Sequence, residues 1–236
     1  MSNTSKIPFK DAADQFERDI FKRSVEEIYR YLKSGDPQFG CVDGHLLDRY
    51  ETRADSLKYL RQFLELQLKT EVEIRHFTKF LYLLLNKKSG KRNCLNIYGP
   101  PSSGKTYFTR MVKEAMITSG QILNMSRNSQ FPFNNCVCKR VLLWDEPAYE
   151  QNALETLKTL FSGDETVANK KYSDFEIIPR TPVIVTANRN EFPRTPAFQC
   201  RIKNYTFESA EFLKDLKYLH PMALYDFFIE MKLMDD

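Results

Sequence analysis

The chain has 236 residues, enough to bury one sizeable hydrophobic core with a small additional domain. Hydrophobic residues make up 42 % and charged residues 28 %, a balance that excludes a fibrous or disordered chain. The formal net charge of +4 permits a nucleic-acid partner without requiring one.

Cysteine usage and apolar run lengths bound the protein's environment. Cys136 and Cys138 lie two positions apart, with no second pair to complete a tetrahedral zinc site. We therefore expect reduced, structural thiols in a cytosolic or nuclear protein. The first ten residues lack the apolar centre of a signal peptide. The longest apolar runs, such as residues 80–85, are far shorter than the ~20 residues that span a bilayer, so we expect no membrane contact.

The first 86 residues predict helices only. Apolar residues recur at helical spacing from Phe9 to Leu32, where residues 35–37 (Gly-Asp-Pro) end the first predicted helix. Two more amphipathic stretches follow, from Leu57 to Leu68 and from Ile74 to Leu85. We interpret residues 1–86 as a helical region and expect it to help subunits assemble.

The pattern changes to short apolar segments after Asn86. The predicted strands are residues 94–98, 122–125, 141–144 and 183–186, separated by polar or helical segments. This alternation predicts a parallel sheet with helices on its faces, over residues 87–208. From residue 209 the pattern becomes helical again and predicts a C-terminal tail over 209–236, with four apolar residues on one side: Phe212, Leu213, Leu216 and Leu219.

One segment matches the phosphate-loop pattern G-x-x-x-x-G-K-[ST] without exception. It reads Gly99-Pro100-Pro101-Ser102-Ser103-Gly104-Lys105-Thr106, after a predicted strand and before a helix-like run. Backbone amides of such a loop bind phosphate oxygens, the lysine reaches the β- and γ-phosphates, and the Thr106 hydroxyl binds Mg²⁺. The pattern therefore predicts ATP and Mg²⁺ as ligands, against a chance glycine-containing turn.

Two further strands end in polar residues. The strand 141–144 runs into Asp145 and Glu146, which emerge at the carboxyl edge of the predicted sheet beside the phosphate loop. There Asp145 would hold magnesium and Glu146 would act as general base on water, unless Glu146 is merely solvated. The strand 183–186 is followed by Asn188, which is either a sensor of the γ-phosphate or an ordinary turn residue.

The order of these three motifs within about 90 residues resembles the superfamily 3 helicases of small DNA viruses, above all the parvoviral large non-structural (Rep) proteins. Residues 87–93 resemble their basic segment before the phosphate loop. Residues 128–134 resemble their motif before the acidic strand, and residues 201–207 their Arg-led segment after the sensor. The resemblance covers residues 77–207, and it implies a P-loop α/β core of the AAA+ type with a preceding helical bundle.

The resemblance implies roles for particular residues. Asn188 becomes the γ-phosphate sensor, and Arg201 becomes an arginine finger that reaches the nucleotide of a neighbouring subunit, against a plain surface cation. A β-hairpin over residues 167–178 corresponds to the DNA-binding hairpin, with Lys170 and Lys171 at its lysine position. Asn169 and Val167 stand where the family commonly has Asp and Arg, which places the strength of DNA binding in question.

The resemblance implies 3′-to-5′ unwinding of single-stranded or forked DNA by a hexameric ring in the host nucleus. The three histidines are widely separated and form no His-x-His pair, so no nicking activity is expected from this segment. Two rivals share the phosphate loop. One is another P-loop ATPase, such as a loader or an RNA-directed viral ATPase. The other is a nucleotide-gated assembly module whose hydrolysis is incidental.

Overall fold

A computed structural model describes residues 9–34, 49–125, 131–168 and 176–236, with side chains from residue 11 onwards. Its helices are α1 (Phe9–Lys22), α2 (Val25–Lys33), α3 (Arg53–Leu68), α4 (Glu71–Leu85), α5 (Lys105–Ala115), α6 (Leu154–Ser162), α7 (Pro196–Gln199) and α8 (Ala223–Glu230). Its strands are β1 (Cys94–Tyr98), β2 (Ser119–Gln121), β3 (Val141–Asp145), β4 (Thr166–Ala168), β5 (Glu176–Ile178), β6 (Val183–Ala187) and β7 (Ile202–Thr206).

Five strands form one parallel sheet in the order β2-β3-β6-β1-β7. The predicted α/β fold with a parallel core is therefore confirmed. β6 lies between β1 and β3, with Tyr98 opposite Ala187 and Asp145 opposite Thr186. The phosphate loop, the acidic pair and Asn188 follow the carboxyl ends of these three strands. Their arrival at one edge of the sheet is a consequence of parallel pairing.

The sheet separates two buried clusters. One face, with Leu95 and Ile97 of β1, packs against α3, α4, α5 and α8. The other face, with Cys94 of β1 and Trp144 of β3, packs against α6 and the loop after β6. The first cluster draws buried residues from all three predicted regions of the chain, from Val25 to Met234. The division at residues 86 and 208 stays a prediction.

Two sequence-based predictions for the helices were wrong. The stretch from Phe9 to Leu32 is two helices, because Ser24 caps α2: its side chain accepts from the Glu27 amide while the Glu27 carboxylate accepts from the Ser24 amide. The apolar residues 212–219 do not form an α-helix. They contain only a short 3₁₀ turn, Glu211–Asp215, and the regular helix of this region is α8.

The second predicted strand lies three residues earlier than expected. β2 is Ser119–Gln121, and residues 122–125 follow it as an irregular segment with one isolated bridge, between Met125 and Tyr149. Gly120 fits there because a Cβ at this position would lie 2.3 Å from the Asn135 carbonyl oxygen. Hydrophobicity favoured residues 122–125, but residues 119–121 are the ones that pair with β3.

The predicted hairpin has a described base. β4 and β5 pair antiparallel, with Thr166 opposite Ile178. Val167 and Ile177, opposite each other, are exposed. Lys170 and Lys171 lie outside the described residues, so their role stays a prediction. Among the described helices, none is long and apolar enough to cross a membrane.

Candidate functional site

The phosphate loop (residues 99–106) connects β1 to α5 and leaves no room for side chains at its two glycines. A Cβ on Gly99 would lie 2.0 Å from the Phe207 carbonyl oxygen of the chain that follows β7. A Cβ on Gly104 would lie 2.6 Å from both Leu213 Cδ1 and Phe63 Cε2, and Gly104 has a left-handed φ of 78°. Glycine is therefore required at both positions, for lack of space at Gly99 and for lack of space and the left-handed φ at Gly104. The helix α5 begins directly after the loop, with its free backbone amides facing it.

Lys105 turns its amine back into this loop. Its Nζ donates to Gly99 O at 2.7 Å, to Pro100 O at 2.9 Å and to Ser103 Oγ at 3.1 Å. The residue is 8 % exposed. Burial lowers the pKa of the Lys105 amine, while the charges of Glu146 and Asp145 act in the opposite direction. A cation with three weak neutral acceptors and two nearby carboxylates is suited to exchange those acceptors for phosphate oxygens.

The acidic pair lies at the end of β3, and each acid is held from β6. The Thr186 hydroxyl donates to Asp145 Oδ1 at 2.5 Å, and the Glu146 amide donates to Thr186 O at 2.8 Å. The Asn188 amide donates to Glu146 Oε2 at 3.4 Å. The structure thus brings together three predicted site residues from two neighbouring strands.

Glu146 has an unusual backbone conformation. Its φ is 46°, in the left-handed region, where a residue with a Cβ is uncommon. Such conformations cost about 1–3 kcal/mol and concentrate at functional sites, because the surrounding structure has to hold them. The neighbouring Pro147 is buried, whereas the Glu146 side chain is exposed to the cavity.

One cavity of about 370 Å³ joins these groups. Residues 101–106, Asp145, Glu146 and Asn188 line one side of it. Ala210, Leu213 and Lys214 line the other side, and the Ala210 amide donates to Ser102 O at 2.9 Å. Sequence analysis missed these last three, because residues 209–236 were interpreted as a helical tail with Leu213 on its apolar side.

Thr186 was also missed as a functional residue, although a signal was present. It precedes Asn188 by two positions, so the two side chains project from the same side of an extended segment. Its hydroxyl contact with Asp145 additionally requires that β6 lie beside β3, which only the sheet order decides.

The structure does not place Arg201 in this cavity. Its Nε donates to Lys158 O at 3.0 Å, and its Nη1 donates to Ala197 O at 2.6 Å. Nη1 also contacts Cys200 Sγ at 3.3 Å. In a single chain the guanidinium is therefore half-buried against backbone carbonyls of α6 and α7, away from the phosphate loop. Its action on a neighbouring subunit stays a prediction.

Comparisons with known proteins show the family of the chain. The family model described as parvovirus non-structural protein NS1 matches residues 42–195. The initiator protein NS1 of Junonia coenia densovirus is 32 % identical over 226 residues, which cover 91 % of this chain and 41 % of that protein. The initiator protein NS1 of Bombyx mori densovirus is 34 % identical over 197 residues, or 79 % of this chain and 22 % of that protein. The chain thus spans less than half the length of these relatives.

Among solved structures, a crystal structure of JCV helicase with a bound acetamide compound aligns with a TM-score of 0.62 at 15 % identity. The alignment covers 94 % of this chain and 66 % of that one. At this identity the likeness concerns the fold alone. It agrees with the predicted α/β fold, and the family match confirms the resemblance to parvoviral large non-structural proteins. From the family match and the relatives together, the chain belongs to the parvovirus non-structural protein NS1 family, and its fold is similar to that of JCV helicase.

Proposed function

We propose that this chain is the ATP-hydrolysing motor of a superfamily 3 DNA helicase that acts in viral DNA replication. The observation that carries the proposal is the arrangement around one cavity of a phosphate loop, Lys105, an acidic pair and Asn188. The similarity of the chain to the initiator proteins NS1 of two densoviruses supports a role in replication.

The residues present fit a nucleotide with magnesium. Two glycines keep the loop backbone free of side chains, and Lys105 supplies a buried cation for the β- and γ-phosphates. Thr106 and Asp145 would hold Mg²⁺, since this ion is usually bound by one or two protein oxygens together with phosphate oxygens and water. Bound there, Mg²⁺ would neutralise charge on the phosphates.

Glu146 is the proposed general base. Its carboxylate accepts a proton from water as the water oxygen attacks the γ-phosphorus, and the bond from that phosphorus to the leaving ADP oxygen breaks. Asn188 contacts Glu146 through its backbone amide, and its exposed side chain lines the same cavity. The Asn188 side-chain amide is therefore proposed to contact the γ-phosphate, and Lys105 to stabilise charge on it.

The proposal extends to an assembly. A ring of subunits, a hexamer in the family, would place Arg201 of one subunit at the nucleotide of the next. Lys170 and Lys171, which the resemblance matches to the lysine position of the DNA-binding hairpin, would bind single-stranded or forked DNA through its phosphates. Unwinding would proceed 3′ to 5′, in the host nucleus. These points rest on the family resemblance.

The test is ATP hydrolysis by the purified chain with and without single-stranded DNA. We expect DNA to accelerate hydrolysis, Lys105→Ala to abolish it, and Lys171→Ala to remove the acceleration but keep basal hydrolysis. Lys79→Ala, at an exposed position on α4, is the matched control and should behave as wild type.

The two rivals give different results in this assay. Hydrolysis indifferent to DNA would support an ATPase of another kind, such as a loader. RNA in place of DNA distinguishes an RNA-directed ATPase. No hydrolysis at protein concentrations high enough for assembly would overturn the motor and leave a nucleotide-gated assembly module.

A further inference from the structure

The backbone conformation at Glu146 requires stabilising contacts from other parts of the chain. Glu146 follows the last residue of β3 with a φ of 46°, and the chain leaves the sheet directly after it. A left-handed conformation at a residue with a Cβ persists only where neighbouring groups fix it. The position of the Glu146 carboxylate therefore depends on contacts that flank this turn.

Asn124 provides such contacts on both sides of the acidic pair. Its Oδ1 accepts from Trp144 Nε1 at 2.9 Å and from the Ala148 amide at 3.0 Å. Trp144 immediately precedes Asp145, and Ala148 comes two residues after Glu146. A single side-chain oxygen thus joins the end of β3 to the start of the following loop.

Further hydrogen bonds connect the same segments. The Met125 amide donates to Ala148 O at 2.8 Å, and the Glu150 amide donates to Met125 O at 3.0 Å. The Tyr149 hydroxyl donates to Glu191 O at 2.7 Å, which ties this loop to the segment that follows Asn188. The segment after β2 is therefore bonded to the loop that follows Glu146, and that loop is bonded to the segment that follows Asn188.

We propose that Asn124 is a positioning residue for ATP hydrolysis: it holds the turn around Glu146 in its catalytic geometry through Trp144 and Ala148. Asn124 is not among the residues that line the nucleotide cavity. It therefore acts on the step that uses Glu146 rather than on nucleotide binding, which depends on the phosphate loop. This inference rests on the proposed function of Glu146 as general base.

The experiment compares Asn124→Ala, Asn124→Asp and Asn152→Ala in the full chain. Alanine removes the acceptor, whereas aspartate keeps an oxygen that can accept from both donors. Asn152, an exposed asparagine of the next 3₁₀ turn, is the matched control. We expect Asn124→Ala to lower kcat by roughly tenfold or more while KM for ATP changes by less than about twofold. Asn124→Asp should recover most of the loss.

Trp144 supplies a second readout, because it is the only tryptophan in the chain. Loss of its Nε1 hydrogen bond in Asn124→Ala should shift its fluorescence emission, and Asn124→Asp should restore the wild-type spectrum.

The outcomes separate this inference from the proposed function. An unchanged kcat in Asn124→Ala, in a wild type that hydrolyses ATP, refutes the positioning role alone. A joint loss of kcat, ATP affinity and thermal stability that Asn124→Asp does not recover refutes it as well, because it indicates a general structural role. A wild type without ATP hydrolysis removes the proposed function and this inference together.

Discussion

Thr186→Val tests whether β6 controls the magnesium site. Valine has nearly the same shape as threonine but lacks the hydroxyl, which here donates to Asp145 Oδ1 at 2.5 Å from a residue that is 5 % exposed. Hydrogen bonds to charged groups contribute about 1.5–3 kcal/mol. Because Asp145 is exposed at the cavity, we take the lower end, about 1.5 kcal/mol, which corresponds to roughly tenfold in an equilibrium constant.

The assay is ATP hydrolysis as a function of Mg²⁺ concentration at saturating ATP. We expect the half-saturating Mg²⁺ concentration to rise by about tenfold in Thr186→Val and to return to the wild-type value in Thr186→Ser. The melting temperature should change little, since the freed carboxylate oxygen can bind water. A Mg²⁺ dependence within about twofold of wild type would refute the view that Thr186 orients Asp145.

Three further predictions address the loop, the ring and the buried end of the sheet. Gly104→Ala should lower the free energy of unfolding by about 1–3 kcal/mol in chemical denaturation, because its Cβ would meet Leu213 and Phe63 at a left-handed φ; wild-type stability would contradict this. Mixing Lys105→Ala with Arg201→Ala subunits should restore part of the hydrolysis that each lacks alone, because some interfaces then combine both intact groups; no recovery would argue against action in trans. Arg140→Met should raise the free energy of unfolding, measured by urea denaturation, by about 1–3 kcal/mol, and a decrease would contradict the reasoning.

The reason for the last expectation lies at the amino end of β3. Arg140 is 1 % exposed, and among the described residues its Nε and Nη1 have no hydrogen-bond partner. Burial lowers the pKa of its guanidinium to about 10. At pH values below that pKa the guanidinium stays charged, so folding bears the full free-energy cost of burying this charge, and a methionine of similar length removes that cost.

The sequence alone determined the parts of the site that depend on local chemistry. The phosphate loop requires glycine at two positions and a lysine and threonine at the start of a helix, and these residue types occur together at that spacing. The bounds of β1 were predicted correctly, and those of β3 and β6 to within one residue, because buried parallel strands are continuous apolar runs. Parallel pairing then implied a common edge for their polar ends.

Only the tertiary structure decided which side chains hold these groups. The Thr186–Asp145 bond needs the sheet order that places β6 beside β3, and the Asn124 contacts join residues 20 and 24 positions apart. The wall formed by Ala210 and Leu213 arises where a 3₁₀ turn packs on the phosphate loop. Arg201 lies against carbonyls of α6 and α7 because the tertiary structure brings these helices next to the start of β7. Such contacts depend on the relative positions of distant segments, and hydrophobic spacing along one segment carries no information about its partner.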